Sequence, residues 1–474
     1  MSSGSVSSRS LFQRHRGKVL TSVGIVATLF TAGSVCMYLV KRWLYKQQLK
    51  ITEQHFIREQ IRRRFTQTQE DSLYALYELI PVFAMVLAKK LDLEELVIAL
   101  RDKKLSKTGS QKARIGDNDV LSSGISTSVT EVDTSTANVA NKSEGKTQKT
   151  KAELWNELKT KSLIKMVTIS YTISALLLLT RLQLNILTRR EYLETAIRVA
   201  VEKESSLSDG KSVVSWIWGL WKGDDTKSAV SEAIEDSKAK PTPVSKNSYI
   251  NEQAFLSLSW WLLNRGWQDF EAIVEENVEK QFGQLNPRDT LSITEFSEKL
   301  TEVFRDTNKQ LFPDATNEQN GTGRLQTILL PRPDLEDFVL KQTLDPEAFN
   351  ILNEDKTVFG QLILETAKCL ESTVSSIVLE TLVNESFQYI MEQVETNVSK
   401  KKNKQKTAKE SDCVEDSDAK YQMAVFTISC KDCCNEILKS GVVSMDNEFL
   451  ARLDSVVILD DLSASVYSNF GFQD

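Results

Sequence analysis

Residues 19–40 carry no charged side chain, and this unbroken run of 22 constrains the chain more than any other feature. As a helix it would reach about 33 Å, enough to cross a bilayer core, where the backbone polar groups must be satisfied within the segment itself. A cleavable secretory signal has an apolar region of about 7–15 residues ending at a small-residue cleavage site. Here the run is longer and ends on Lys41 and Arg42, with Trp43 and Tyr45 where interfacial aromatics belong. The pattern therefore predicts an uncleaved anchor rather than a signal peptide or a buried core helix. Flanking charge leaves the orientation open, because Arg14, Arg16 and Lys18 are matched by Lys41, Arg42 and Lys46. With 18 residues before the run and 434 after it, the question is which compartment receives the large part.

That large part is able to bury a core: the chain of 474 residues is 41% hydrophobic, enough for one large domain or two ordinary ones. Its net charge of −6 hides an asymmetry, since residues 1–64 hold 12 Lys or Arg against Glu53 and Glu59, a balance of +10 that leaves −16 for the rest. A basic anchor region beside an acidic body suits contact with anionic lipid at one end and excludes a general nucleic-acid binder. Six cysteines, at 36, 369, 413, 430, 433 and 434, make no disulfide framework, and a body facing a reducing compartment is expected. Cys430, Cys433 and Cys434 lack the fourth ligand that zinc ordinarily takes, so they read as buried thiols on a helix.

Along the body the apolar spacing is helical. Ile57, Ile61 and Phe65 recur every four residues with Arg58, Arg62, Arg63 and Arg64 opposite, a basic amphipathic helix suited to a membrane surface or simply to solvent. Leu73, Leu76, Tyr77 and Ile80 continue a stripe up to Pro81, where a kink or break is expected. Leu93, Leu96, Val97 and Leu100 form another stripe, and further periodic stretches lie at 250–282, 291–312, 358–397, 420–440 and 447–467. Residues 105–150 hold no aromatic side chain and read as a disordered insertion, with similar loops at about 204–248 and 399–419. The 15 uncharged residues 166–180 are too few to cross a membrane and are expected as the centre of a bundle. Trp216, Trp218 and Trp221 sit inside the second polar loop, a cluster suited to a membrane interface or a partner pocket, or to folding back onto the body. The expectation is an all-α chain: a basic tail over 1–18, a transmembrane helix over 19–40, a basic juxtamembrane helix over 41–65 and one helical bundle over 66–474.

Reactive chemistry has little to work with. His15 and His55 are the chain's two histidines and both flank the anchor, which rules out a His-based triad or a His-rich metal site in the body. No P-loop is present, Gly321-Thr322-Gly323 reads as part of a polar loop, and spacing singles out no pair of carboxylates. No enzyme, cofactor or metal is expected. Binding has a better candidate in KAELWNELK, residues 151–159. Leu154 and Leu158 face the core, and Trp155 is rotated about 100° to the edge of that stripe. Lys151 and Lys159 lie one turn on either side of it. An indole between two ammonium groups suits an apolar helix with acidic edges laid into a groove, or else a tryptophan that caps the core.

Several long strings carry a resemblance: RHRGKVL, KRWLYKQQLKITEQHFIREQIRRRFTQTQEDSLYALYELIP, KAELWNELKTKSLIK, LTRLQLNIL, YINEQAFLSLSWWLLN and DDLSASVYSNFGF. Through them nearly the whole chain resembles the peroxisomal biogenesis factor 3 family, its yeast members in particular. The resemblance implies a single-pass peroxisomal membrane protein with a lumenal N-terminus and a cytosolic helical domain. It also implies docking of peroxisomal biogenesis factor 19, the import receptor for peroxisomal membrane proteins, through an amphipathic helix held in an apolar groove. On this sequence the groove tryptophan matches Trp155, its basic neighbour Lys151, and a groove leucine Leu100. The targeting signal is similar to Arg14, His15, Arg16 and Lys18 with the following span. Yeast members further imply a platform for an inheritance tether and an autophagy receptor. A membrane tether that binds lipid surfaces directly is the rival expectation.

Overall fold

The computed structural model describes residues 37, 41–43, 55, 58–111, 149–206, 243–312, 323–406, 419–439 and 445–469. The span at 19–40, apart from residue 37, and the three-Trp segment lie outside them. The chain divides into two units, Met1–Thr66 with Ile197–Ile234, and Gln67–Ala196 with Glu235–Asp474. In the first, Arg58, Arg62 and Arg63 are exposed while Ile61 and Phe65 are half-buried, as the basic amphipathic pattern predicts.

The second unit is organised by one helix that is apolar all round. Helices α1 (Arg58–Lys90) and α2 (Leu93–Gln111) precede α3 (Lys151–Ser206), whose residues 162–183 are buried on every face. A helix hydrophobic on all sides has to lie in a bilayer or in the middle of a protein; the most apolar window of α3 is 100% buried, so here it is the core, as its 15-residue uncharged stretch predicts. Two of its buried hydroxyls are returned to the helix itself, Thr172 to the Thr168 carbonyl at 2.8 Å and Thr180 to the Leu176 carbonyl at 2.9 Å.

Around α3 pack α4 (Pro243–Leu256), α5 (Trp267–Phe282), α6 (Ile293–Leu311), α7 (Gly323–Leu329), α8 (Glu336–Thr343), α9 (Pro346–Glu354), α10 (Thr357–Glu371), α11 (Thr373–Lys406), α12 (Met423–Ile437), α13 (Glu448–Asp454) and α14 (Val457–Ser468). Aromatic pairs join these layers: Tyr171 stacks on Phe304 at 5.7 Å and Phe296 on Phe426 at 4.4 Å. A two-stranded antiparallel ladder, β1 (Thr290–Leu291) with β2 (Tyr421–Gln422), pairs Leu291 with Tyr421 and ties the start of α12 to the start of α6. Arg181, 2% exposed, binds Gln69 on α1, Asp454 at the end of α13 and Asp460 on α14, the last at 3.2 Å, so the C-terminal helices are latched to the core through a buried guanidinium.

Two local expectations are corrected. The helix does not stop at Pro81: α1 is continuous to Lys90, because Tyr77, Ile80, Phe83 and Leu87 all enter the core and their burial outweighs one lost backbone hydrogen bond. Gly323 is not loop but the first residue of α7. Cys430, Cys433 and Cys434 are buried along α12; burial pushes the Cys434 thiol up to about 12 and raises Cys433 as well, so both stay protonated.

Candidate functional site

Helix α3 opens with a capping box. The Thr150 hydroxyl accepts from the Glu153 N–H at 3.2 Å, and the Glu153 carboxylate accepts from the Thr150 N–H at 2.7 Å. Helix α2 is started by Asp92, whose carboxylate accepts from the N–H groups of Glu94 and Glu95 at 2.9 and 3.1 Å. From these starts Leu93, Leu96 and Leu100 of α2 meet Leu154 and Leu158 of α3 in a small apolar cluster separate from the main core. Val97, Ala99 and Trp155 pack against its edge and remain half-buried, while Ile98 is 58% exposed.

The expected binding residues thus divide by position. Trp155 packs against the cluster that holds Leu100, which is 8% exposed. Lys151 is exposed one turn before the indole. Lys103 donates to the Lys149 carbonyl, joining α2 to the residue just before the α3 cap. Glu157 pairs with Lys149 at 2.6 Å and Lys161 at 2.9 Å; the hydrogen bond from Lys149, helped by Lys161, holds its carboxyl below the usual carboxylate value. The segments that form the cluster carry charge of both signs, Arg101, Lys103, Lys104, Lys149, Lys151 and Lys161 beside Asp92, Glu94, Glu95, Asp102, Glu153 and Glu157. Arg14, His15, Arg16 and Lys18 lie outside the described residues.

Lys159 corrects the expectation of two ammonium groups beside the indole. It is 2% exposed, and its Nζ donates to the carbonyls of Phe282, at 2.7 Å, and Leu285. The C-terminal end of α5 presents carbonyls without helical partners and partial negative charge, which the Lys159 ammonium satisfies. Burial lowers the Lys159 pKa, partly offset by Glu279 and Asp289. Two more supports have no local sequence signal. Lys165 donates to the Leu91 carbonyl at 3.2 Å and Lys431 pairs with Glu94 at 2.9 Å, pinning the corner between α1 and α2. Among the described residues no group of three His, Cys, Asp or Glu side chains could hold a metal ion.

A family model described as Peroxin-3 matches residues 10–469. The chain belongs to the Peroxin-3 family. It is 47% identical to peroxisomal biogenesis factor 3 of Kluyveromyces lactis, with 98% of this chain and 99% of that protein aligned, and 47% identical to the Saccharomyces cerevisiae protein of the same name over 98% and 97%. The peroxisomal membrane protein PEX3 of Komagataella pastoris is 30% identical over 97% and 98%. This Peroxin-3 chain is a non-enzymatic peroxisomal membrane protein of peroxisome biogenesis.

Proposed function

We propose that this Peroxin-3 is the membrane docking receptor for the import receptor peroxisomal biogenesis factor 19. Its α2–α3 cluster captures an amphipathic helix of that partner, with Trp155 and Leu100 as apolar anchors and Lys151 meeting an acidic edge. The observation that carries this reading is the separate cluster itself: Leu100, Leu154 and Leu158 are gathered with a half-buried Trp155 packed against them, apart from the main core. Two capped helix starts and the Lys165 and Lys431 contacts support a preformed surface, which lowers the ordering cost of binding. In this reading the segment at 19–40 anchors the chain, the basic stretch Arg14 to Lys18 helps target it, the N-terminus is lumenal and the helical body is cytosolic. Titration of purified biogenesis factor 19 onto the full chain, wild type beside Trp155→Ala, tests the assignment. Unchanged affinity would remove the groove from the account.

A lipid role for the N-terminal unit is favoured by one observation, the exposed basic face of Arg58, Arg62 and Arg63. It complements docking rather than replacing it. Flotation of the full chain with anionic against neutral vesicles, with those three arginines changed to Gln, reads it directly; equal flotation of both proteins would contradict it.

A further inference from the structure

Helix α1 has a second face that stays exposed among the described residues. Its core face carries Leu76, Tyr77, Ile80, Phe83 and Leu87. At 100° per residue, Asp71, Tyr74, Glu78, Val82, Met85 and Lys89 fall within about 60° of a single line on the opposite side. Tyr74, Val82 and Met85 are 45%, 39% and 62% exposed, and the three charged residues are exposed as well. Only 33% of the most apolar window of α1 is buried, against 100% for α3. Three exposed apolar side chains, interrupted by Glu78, on one face of a helix make it a candidate interaction surface.

The order of charges along the strip selects the occupant. Asp71 and Glu78 lie toward one end, Val82 and Met85 follow, and the other end carries Lys89; its neighbour Lys90 is already engaged by Glu271 and by the Trp267 ring at 5.6 Å. A strip that is negative at one end and positive at the other is complementary to itself when turned end for end. We propose that α1 pairs antiparallel with α1 of a second copy, about a two-fold axis near the level of Ile80. Asp71 of one copy then faces Lys89 of the second, Tyr74 meets Met85 in a sulfur–aromatic contact, and Glu78 lies beside Val82 next to the axis. An anionic lipid surface fits less well, because Asp71 and Glu78 would be repelled from it. One helix pair buries less than a standard protein interface, so the dimer is weak and concentration-dependent, with Kd on the order of micromolar.

Sedimentation equilibrium of the full chain in density-matched detergent micelles tests the pairing. The wild type shows a monomer–dimer equilibrium. Met85→Glu and Lys89→Glu each weaken it roughly tenfold or more, since every change enters the interface twice, while circular dichroism and melting stay at wild-type values. Combining Asp71→Lys with Lys89→Glu restores the ion pairs and returns the dimer to within about threefold of wild type. A chain that remains monomeric to about 100 µM, as expected of a lipid-facing strip, overturns the proposal. So does a dimer indifferent to Lys89→Glu, or one that the double change fails to restore.

Discussion

The Lys159 ammonium, one helical turn beyond Trp155, donates to the carbonyl oxygen of Phe282 at 2.7 Å and is buried, whereas Trp155 stays half-buried. The two side chains share a helix, and we propose different roles for them: Trp155 binds a partner, while Lys159 holds the fold. Replacing Lys159 by Ala strands the carbonyls of Phe282 and Leu285 and is expected to cost about 3 kcal/mol of stability. Urea denaturation of the two proteins measures this, and a loss below about 1 kcal/mol would show the contact to be incidental.

Acid should loosen the candidate groove first at its carboxylates. Folding lowers the Glu157 pKa from its ordinary 4.5 through Lys149 and Lys161, and the Glu94 pKa through Lys431. A carboxyl whose folded pKa is depressed contributes stability above its unfolded value and loses it as pH falls through the folded one. Melting temperature measured from pH 7 down to pH 3 is therefore expected to fall below about pH 4.5. Glu157→Gln should flatten that descent and lower the neutral-pH value by about 1–2 °C, both partners being near the surface. A descent unaltered by the change would place the acid sensitivity elsewhere.

Two glycines should answer Ala in opposite ways. A Cβ at Gly266, in the π-helical turn over Leu262–Gly266 that leads into α5, would lie 2.0 Å from the Ile328 carbonyl oxygen, whereas at Gly360 in α10 nothing stands within 4 Å. Gly266→Ala is expected to destabilise by about 2 kcal/mol or more, and Gly360→Ala to stabilise by about 0.5–1 kcal/mol through helix propensity. Thermal melting of both variants checks the pair.

The parts of this structure that were legible from sequence are those governed by local periodicity. Leu154 and Leu158 announce a buried stripe four residues apart, and the uncharged residues 166–180 announce a core helix because only an interior satisfies a helix that is apolar all round. The Leu100–Trp155 juxtaposition was reached through family resemblance, since some 50 residues separate the two and no local pattern joins them. The direction of Lys159 was not legible: spacing puts its stem near the groove, and only the carbonyls at the end of α5, more than 120 residues away, decide where its charge goes. Short helices such as α8 and α9 escaped because eight or nine polar-rich residues give too few turns for a period to register. The Leu291–Tyr421 ladder escaped because two-residue strands have no alternation to read.

The central claim is that Trp155 serves a partner more than it serves the fold. Calorimetric titration of biogenesis factor 19 onto the detergent-solubilised full chain, wild type and Trp155→Ala, paired with melting of each protein alone, separates the two roles. The account predicts at least about thirtyfold weaker binding, corresponding to about 2 kcal/mol or more, with the melting temperature within about 2 °C of wild type. Binding at wild-type strength, or a loss of binding matched by an equal loss of stability, would contradict it.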